Sequence, residues 1–311
     1  MGWLLLNALL VSLLAGFGGH SLFPTDLPRL TPPVPVARAA EAHEPAPAYP
    51  APPKKIVPES LGVELTAPSA ALVDVGSGAI LFSKGADRIV PIASITKLMT
   101  ALVVLDGSPD WGTSLTITEA DDRYEGLPYL KVGETMTLHE AFDAALVGSL
   151  NNAALAMARS TGLSDTQFTA RMNAKARELG MSHSRFADPS GYLPENVSTV
   201  EDLARLGLHA FDRTEIREAL TRKAYSFRTA QGSQKNIPAT NALLGGFLNE
   251  GDGRIVGGKT GYTEEAGYTL VVQARKGEGE VIAVTLGSPT TEDRFQDVKS
   301  LVAWGFRTFQ W

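Results

Sequence analysis

The chain has 311 residues, of which 44% are hydrophobic and 20% charged, and its formal net charge is −6. This composition is that of an ordinary globular protein with a sizeable core. The acidic balance excludes the electrostatic footprint of a nucleic-acid-binding protein, and the lack of cysteine excludes disulfides and thiolate chemistry. The five histidines show no HExxH-type spacing, so we expect no zinc site.

The first 59 residues differ in composition from the rest of the chain. An apolar run at residues 3–17, "WLLLNALLVSLLAGF", has the length of a signal-peptide core and is short for a membrane span. No Lys or Arg precedes it, so a retained anchor with N-terminal membrane association stays open as an alternative. We assign residues 1–40 to a signal peptide or N-terminal anchor and residues 41–59 to a Pro- and Ala-rich linker. Residues 60–311 are then an exported domain, periplasmic or extracellular.

The exported part is predicted to begin with strands, continue with helices and return to strands. Two β-type runs, residues 71–75 and 79–83, flank the turn sequence GSG and predict a hairpin. Pairs that fit the S/T-x-x-E/Q capping box then predict three helix starts, at Thr137 with Glu140, Ser164 with Gln167, and Ser198 with Glu201. Strand-type runs return beyond residue 253, and a last helix is predicted from Thr291. This order predicts an α+β fold, an antiparallel sheet formed by both ends of the chain with a helical lobe inserted.

The helix predicted after Pro91 carries a serine and a lysine in the otherwise apolar run "ASITKLMTALVVL". Positions i and i+3 are neighbours on a helix, so Ser94 and Lys97 can share one face. A partly desolvated Lys97 could then accept the proton of the Ser94 hydroxyl. For S-x-x-K alone, an N-cap serine beside a lysine that extends to solvent is the better interpretation, since about one match is expected by composition.

Two further motifs follow along the chain. "SLNNAA" places Ser149 and Asn151 before a helical run, and "GGKTGYT" places Lys259, Thr260 and Gly261 on a strand. Each motif alone is explained by an ordinary helix start or strand turn. The order S-x-x-K, S-x-N, K-T-G is the signature of penicillin-binding proteins and class A β-lactamases.

The sequence resembles the D-alanyl-D-alanine carboxypeptidase family of low-molecular-mass penicillin-binding proteins, serine peptidase family S11. Beyond the three motifs, the resemblance rests on "MNAKARELGM", "DPSGYLPENVSTVEDLARL" and "EDRFQDVKSLVAWGF", and it covers roughly residues 60 to 311. It implies a β-lactamase/transpeptidase-like fold and a cell-wall enzyme that acts on peptidoglycan peptides ending in D-Ala-D-Ala. It also implies covalent inhibition by β-lactam antibiotics and no cofactor.

The resemblance also assigns roles to the catalytic motifs. Ser94 is the expected nucleophile and Lys97 its proton acceptor. Ser149 is expected to relay the proton towards the leaving amine, while Asn151 holds Lys97 and the peptide amide of the substrate.

The third motif is expected to bind the substrate and to stabilise the oxyanion. Lys259 and Thr260 are expected to face the substrate carboxylate or the adjoining substrate backbone. Gly261 lets the substrate backbone lie against the strand. The N–H groups of Ser94 and Tyr262 form the expected oxyanion hole.

Departures from the family pattern leave the exact reaction open. Leu150 stands where a glycine is common in S-x-N, and we expect it to reshape the leaving-group side of the cleft. This feature also occurs in the D,D-endopeptidase branch, which cuts peptide cross-links. A β-lactamase would need a carboxylate to direct water, for which Glu134 and Glu195 are candidates. A non-catalytic penicillin-binding or sensor domain is the last alternative.

The chain ends in an aromatic segment that contains Trp304, Phe306, Phe309 and Trp311. The spacing of these residues makes a poor membrane-binding helix. We expect them to pack on the sheet.

Overall fold

The computed structural model describes residues 50–124 and 129–311. The predicted signal peptide or anchor, and residues 41–49 of the predicted linker, lie outside the described residues. Within residues 50–59, the rest of that linker, Lys54–Lys55 forms a short strand that pairs with Phe309–Gln310. The domain boundaries stay a prediction.

In the described ranges, the strands are short except for the tenth, eleventh and twelfth. In chain order they are β1 (Lys54–Lys55), β2 (Ser69–Asp74), β3 (Ile80–Lys84), β4 (Val90–Pro91), β5 (Ser114–Thr116), β6 (Thr135–Thr137), β7 (Val197–Ser198), β8 (Ala224–Arg228), β9 (Gln234–Pro238), β10 (Gly253–Thr263), β11 (Gly267–Lys276), β12 (Gly279–Ser288) and β13 (Phe309–Gln310). The helices are α1 (Thr96–Asp106), α2 (Leu138–Val147), α3 (Asn151–Arg159), α4 (Asp165–Glu178), α5 (Val200–Asp212), α6 (Thr214–Leu220) and α7 (Thr291–Thr308).

The main sheet joins the two ends of the chain. Its strand order is β10-β11-β12-β2-β3, and every neighbouring pair is antiparallel. The β12–β2 pairing, with Ile282 opposite Val73, brings the carboxyl-terminal strands beside the amino-terminal hairpin. Helices α1 to α6 all lie between these two groups of strands in the sequence. The predicted α+β class and the closure of the sheet by both chain ends are therefore confirmed.

The sheet is buried on both faces. All six residues of β2 are buried, and they alternate between two apolar clusters: Ala71 and Val73 join the cluster of the helical lobe, while Ala70 and Leu72 join the cluster formed with α7. A Cβ at Gly305 would lie 2.4 Å from a methyl carbon of Leu72, so glycine lets α7 lie close against the strand.

Two of the three predicted helix starts are confirmed. Reciprocal capping boxes at Thr137 and Ser164 open α2 and α4. The third prediction is wrong by one residue: Ser198 ends β7, and the N-cap of α5 is Thr199, whose hydroxyl accepts from the backbone N–H of Asp202. The β7 pairing with β4 keeps Ser198 extended, which leaves Thr199 as the residue that turns the chain into the helix.

The aromatic end of the chain packs on the domain, as predicted. Trp304 makes edge contacts with Phe82 and Phe309, and Phe306 packs against Trp311. The described residues contain no helix with both the length and the apolar character needed to cross a membrane.

Candidate active site

The Ser94 hydroxyl lies at the start of α1, in a 3-10 turn formed by Ala93–Ile95. Ala93 has a φ of +48°, a left-handed conformation that is uncommon for a residue other than glycine. Such a backbone conformation persists only where the surrounding structure holds it in place. The backbone N–H of Ile92 donates to Asn196 O at 3.0 Å, which fastens the entry to this turn.

The Lys97 side chain is completely buried under the turn. Its Nζ donates to Ser94 Oγ at 2.8 Å, to Asn151 Oδ1 at 2.8 Å and to Ser190 O at 2.7 Å. Burial lowers the pKa of Lys97 from its ordinary value of 10.5 to about 7, against the opposing effect of the negative charge of Asp188. A substantial fraction of Lys97 is therefore neutral near pH 7, and its amine touches a hydroxyl.

The second motif, Ser149 with Asn151, lies at the junction between α2 and α3. Ser149 adopts a φ of +62°, which turns the chain between the two helices, and α3 then begins at Asn151. Leu150 is buried in the apolar core of the helical lobe and does not line the cleft. Our expectation that its bulk reshapes the leaving-group side is thus not supported, because the backbone turn directs the side chain into the core.

The third motif lies on β10, with its lysine beneath the surface of the cleft. Lys259 is fully buried and donates to Ser149 Oγ at 2.7 Å and to Thr260 O at 2.8 Å. Burial holds the pKa of Lys259 well below its ordinary value, and the charges of Lys97 and Arg294 lower it further. The expected contact of Lys259 with the substrate stays a prediction; in the structure its Nζ donates to the Ser149 hydroxyl.

At Gly261, strand β10 contacts the turn that carries Ser94. A Cβ at this position would lie 3.0 Å from both Ser94 N and Ile92 O, and 2.5 Å from Thr269 Oγ1. Glycine is thus needed here for the strand to approach the turn, in addition to the predicted approach of substrate. Tyr262 follows, half exposed, with its ring stacked on Tyr268 at 4.4 Å.

These elements surround an open cleft with a volume of about 710 Å³. The predicted site residues that line it are Ser94, Ser149, Asn151, Thr260, Gly261 and Tyr262. The other two, Lys97 and Lys259, are buried and donate hydrogen bonds to the two serines of the cleft. The structure therefore brings all eight predicted residues together.

Sequence reasoning missed three residues of this region. Arg294, in the first turn of α7, lines the cleft; its Nη1 donates to Gly261 O at 3.1 Å, and burial lowers its pKa to about 10. Thr240 lines the cleft and accepts from the Thr260 hydroxyl at 2.6 Å. Ser190 supplies the carbonyl that binds Lys97. Arg294 and Ser190 stand inside the sequence blocks that carried the resemblance, whereas nothing in the sequence singled out Thr240.

The two carboxylates considered for a β-lactamase are not among the residues that line the cleft in the described part of the chain. Glu134 forms an ion pair of 2.6 Å with Lys235 and accepts from the backbone N–H of Lys131 at 2.8 Å. Its pKa is lowered by hydrogen bonds, of which that with Lys235 is the largest, against the effect of burial, which raises it. The carboxylates that do line the cleft are Glu264 and Glu265.

The described residues contain no cluster of three or more His, Cys, Asp or Glu side chains that could hold a metal ion. The polar chemistry of the cleft comes from hydroxyl, amine, amide and guanidinium groups. This set of groups is suited to acyl transfer through a serine.

Comparisons with known proteins agree with this arrangement. The sequence profile of the family described as D-alanyl-D-alanine carboxypeptidase, Peptidase_S11, matches residues 54–290. A D-alanyl-D-alanine endopeptidase of Pseudomonas aeruginosa is 34% identical over 257 residues, which are 81% of each chain. The crystal structure of the Streptomyces K15 DD-transpeptidase matches with a TM-score of 0.74 and 28% identity, over 80% of this chain and all of that one. Penicillin-binding protein D2 of Listeria monocytogenes, solved with bound cefotaxime, matches with a TM-score of 0.69 and 32% identity, over 79% of this chain and all of that one.

Proposed function

The chain belongs to the D-alanyl-D-alanine carboxypeptidase family, peptidase family S11, and from this premise we propose that it hydrolyses peptidoglycan peptides ending in D-Ala-D-Ala through an acyl-enzyme on Ser94. Its fold is the β-lactamase-like fold of the D,D-peptidases to which it is similar. The family, the fold and the arrangement of the cleft support the same enzyme class, a serine-type D,D-peptidase.

The observation that carries the proposal is the set of three acceptors around Lys97. Two of them, Asn151 Oδ1 and Ser190 O, are carbonyl oxygens, which can only accept hydrogen bonds. When Lys97 is neutral, its two hydrogens go to these oxygens, and its lone pair is left to face the Ser94 hydroxyl at 2.8 Å. The amine is then oriented as a general base for the nucleophile.

The reaction begins when the Ser94 oxygen attacks the carbonyl carbon of the penultimate D-alanine and its proton passes to Lys97. The negative charge that develops on the carbonyl oxygen is stabilised by the N–H groups of Ser94 and Tyr262. The C–N bond then breaks, and the amine of the terminal D-alanine takes up the proton. Water hydrolyses the remaining ester and restores the Ser94 hydroxyl.

Ser149 lies on the leaving-group side of the cleft, and Lys259 is buried beneath it. The Ser149 hydroxyl accepts from Lys259 at 2.7 Å, so its own hydrogen is available for the departing amine. The terminal carboxylate of the substrate is bound by the guanidinium of Arg294, which lines the same cleft, and by the Thr260 hydroxyl, whose hydrogen turns from Thr240 Oγ1 to the carboxylate.

Endopeptidase activity on peptide cross-links is the second candidate. Relatives at 34% and 35% identity are named D-alanyl-D-alanine endopeptidases. In both reactions the acyl group is transferred to Ser94, and only the leaving amine differs. Product analysis on purified muropeptides distinguishes them: free D-alanine from monomeric pentapeptides indicates a carboxypeptidase, whereas conversion of dimers to monomers indicates an endopeptidase. No cleavage of either substrate would refute the proposal.

The β-lactamase and the non-catalytic sensor rank lower. Glu134 is already paired with Lys235 and is not among the residues that line the cleft, so it is poorly placed to direct a deacylating water. A sensor that bound penicillin without forming a covalent adduct would have no need for the neutral amine of Lys97. β-Lactam antibiotics are expected to acylate Ser94 and to be released slowly.

The proposed substrate also implies where the enzyme acts. Peptidoglycan lies outside the cytoplasmic membrane, and this agrees with the export signal predicted for residues 1–40. We therefore place the catalytic domain in the periplasm or at the cell exterior, associated with the cell wall.

A further inference from the structure

A buried carboxylate organises the loop that follows α4 and reaches the active site. Asp188 is almost completely buried. Its Oδ1 accepts from Ser190 N at 2.6 Å, Ser190 Oγ at 2.5 Å and Gly191 N at 2.9 Å. Its Oδ2 accepts from Leu193 N at 2.9 Å and Asn196 Nδ2 at 2.6 Å. Both oxygens of the carboxylate therefore have a full set of hydrogen-bond donors, and all of these donors come from the loop.

This loop is in direct contact with the catalytic residues. Ser190 O accepts from Lys97 Nζ at 2.7 Å, and Pro189 O accepts from the Thr100 hydroxyl at 2.6 Å. Gly191 has a φ of +80°, and a Cβ there would lie 2.0 Å from Ala93 O. The loop is thus packed tightly against α1 and the turn that carries the nucleophile.

We propose that Asp188 is a positioning residue of the D,D-peptidase reaction, which holds the Ser190 carbonyl against Lys97 so that the lysine amine stays directed at Ser94. The inference rests on the proposed function of Ser94 and Lys97. Asp188 does not touch the reacting atoms. It acts through Ser190 and Gly191, whose backbone N–H groups it binds.

The charge of Asp188 also acts on Lys97. Burial lowers the pKa of Lys97 to about 7, while the negative charge of Asp188 raises it. β10 carries a second buried amine, Lys259, whose pKa is lowered by burial and then by the charges of Lys97 and Arg294. Asp188 therefore opposes burial, and its removal shifts Lys97 further towards the neutral form.

The test is the pH dependence of acylation by benzylpenicillin in wild type and Asp188→Asn. The rate rises with pH as Lys97 loses its proton, and the midpoint of this rise reports the pKa of Lys97. In Asp188→Asn the midpoint moves to lower pH, because the charge that favoured the ammonium is gone. The limiting rate falls by roughly 10- to 100-fold, because the Ser190 carbonyl no longer holds the amine in place.

Two further variants distinguish the effect of the position of the Asp188 carboxylate from the effect of its charge. Asp188→Glu keeps the charge but changes the reach of the carboxylate, so the rate falls while the midpoint stays close to that of wild type. Asp297→Asn is the matched control: Asp297 is a buried carboxylate that accepts from Thr66 N, Ala67 N and Ser288 Oγ, away from Lys97. Its loss lowers the melting temperature and leaves the midpoint unchanged.

A folded Asp188→Asn with the midpoint and limiting rate of wild type would overturn the inference. If that variant does not fold, Asp188→Glu decides, and a wild-type limiting rate in it overturns the positioning role. Failure of wild type itself to be acylated would refute the proposed function instead, so the two failures are distinguishable.

Discussion

Replacing Gly261 by alanine tests whether β10 and the turn of Ser94 must meet as closely as the structure places them. The added Cβ would lie 2.5 Å from Thr269 Oγ1 and 3.0 Å from both Ser94 N and Ile92 O. Thr269 is fully buried and its hydroxyl is 3.4 Å from Ile92 O, so it has little room to move aside. The strain is relieved by a shift of the strand away from the turn.

The expected losses of rate and of stability follow from the groups that this shift displaces. Ser94 N is one of the two proposed oxyanion donors, and loss of one such donor costs about 10²- to 10³-fold in rate. Forcing an extra carbon into a packed contact costs about 1–3 kcal/mol of folding free energy. We therefore expect a folded protein with a lowered melting temperature and a much larger loss of activity than of stability.

The assay is the second-order rate constant for acylation by benzylpenicillin, measured together with the melting temperature. Gly245→Ala is the matched control, because a Cβ at Gly245 would meet no atom within 4 Å. The control should acylate at the wild-type rate. A folded Gly261→Ala protein that also did so would refute the close packing of strand and turn as a requirement for catalysis.

Three further predictions follow from the site. Because the pKa of Lys97 is lowered to about 7, kcat/KM for a D-alanyl-D-alanine peptide should rise as pH increases through about 7 and then level off; a flat profile from pH 5 to 9 would contradict the role of Lys97 as base. Arg294→Ala should lower kcat/KM roughly 10- to 100-fold for a peptide with a free carboxylate, since a hydrogen bond to a charged group contributes about 1.5–3 kcal/mol; an analogue with an amidated carboxyl end should lose much less, and equal losses would remove the assigned role. Glu134→Gln should leave the release of bound penicillin unchanged, as measured by the decay of the covalent adduct, whereas an accelerated or slowed decay would bring the β-lactamase alternative back.

Those parts of the site that depend on local geometry could be predicted from the sequence. The i,i+3 spacing of Ser94 and Lys97 is set by the helix, and the capping boxes at Thr137 and Ser164 depend on residues three positions apart. The long strands β10 to β12 were predicted from strand-type runs separated by glycines and charged residues. These features need only a few neighbouring residues to form.

What could not be predicted depends on contacts between distant segments. The sequence placed Lys259 on the correct strand, but the partner of its Nζ depends on where the turn between α2 and α3 places the Ser149 hydroxyl. The acceptor Ser190 O is a backbone atom, so no residue type indicates it, and it lies 93 positions from Lys97 in the sequence. The helix cap was predicted at Ser198, one residue too early, because Ser198 pairs in β7 with Val90, which is far away in the chain.

The central claim is that Ser94 is acylated with Lys97 as its base. Intact-protein mass spectrometry after incubation with benzylpenicillin, followed by peptide mapping, tests it most directly. We expect one adduct with the mass of the whole antibiotic, because a β-lactam ring opens without losing an atom, located on Ser94 and absent from Ser94→Ala. An adduct on another residue, an adduct that persists in Ser94→Ala, or no adduct on the folded wild-type protein would contradict the account.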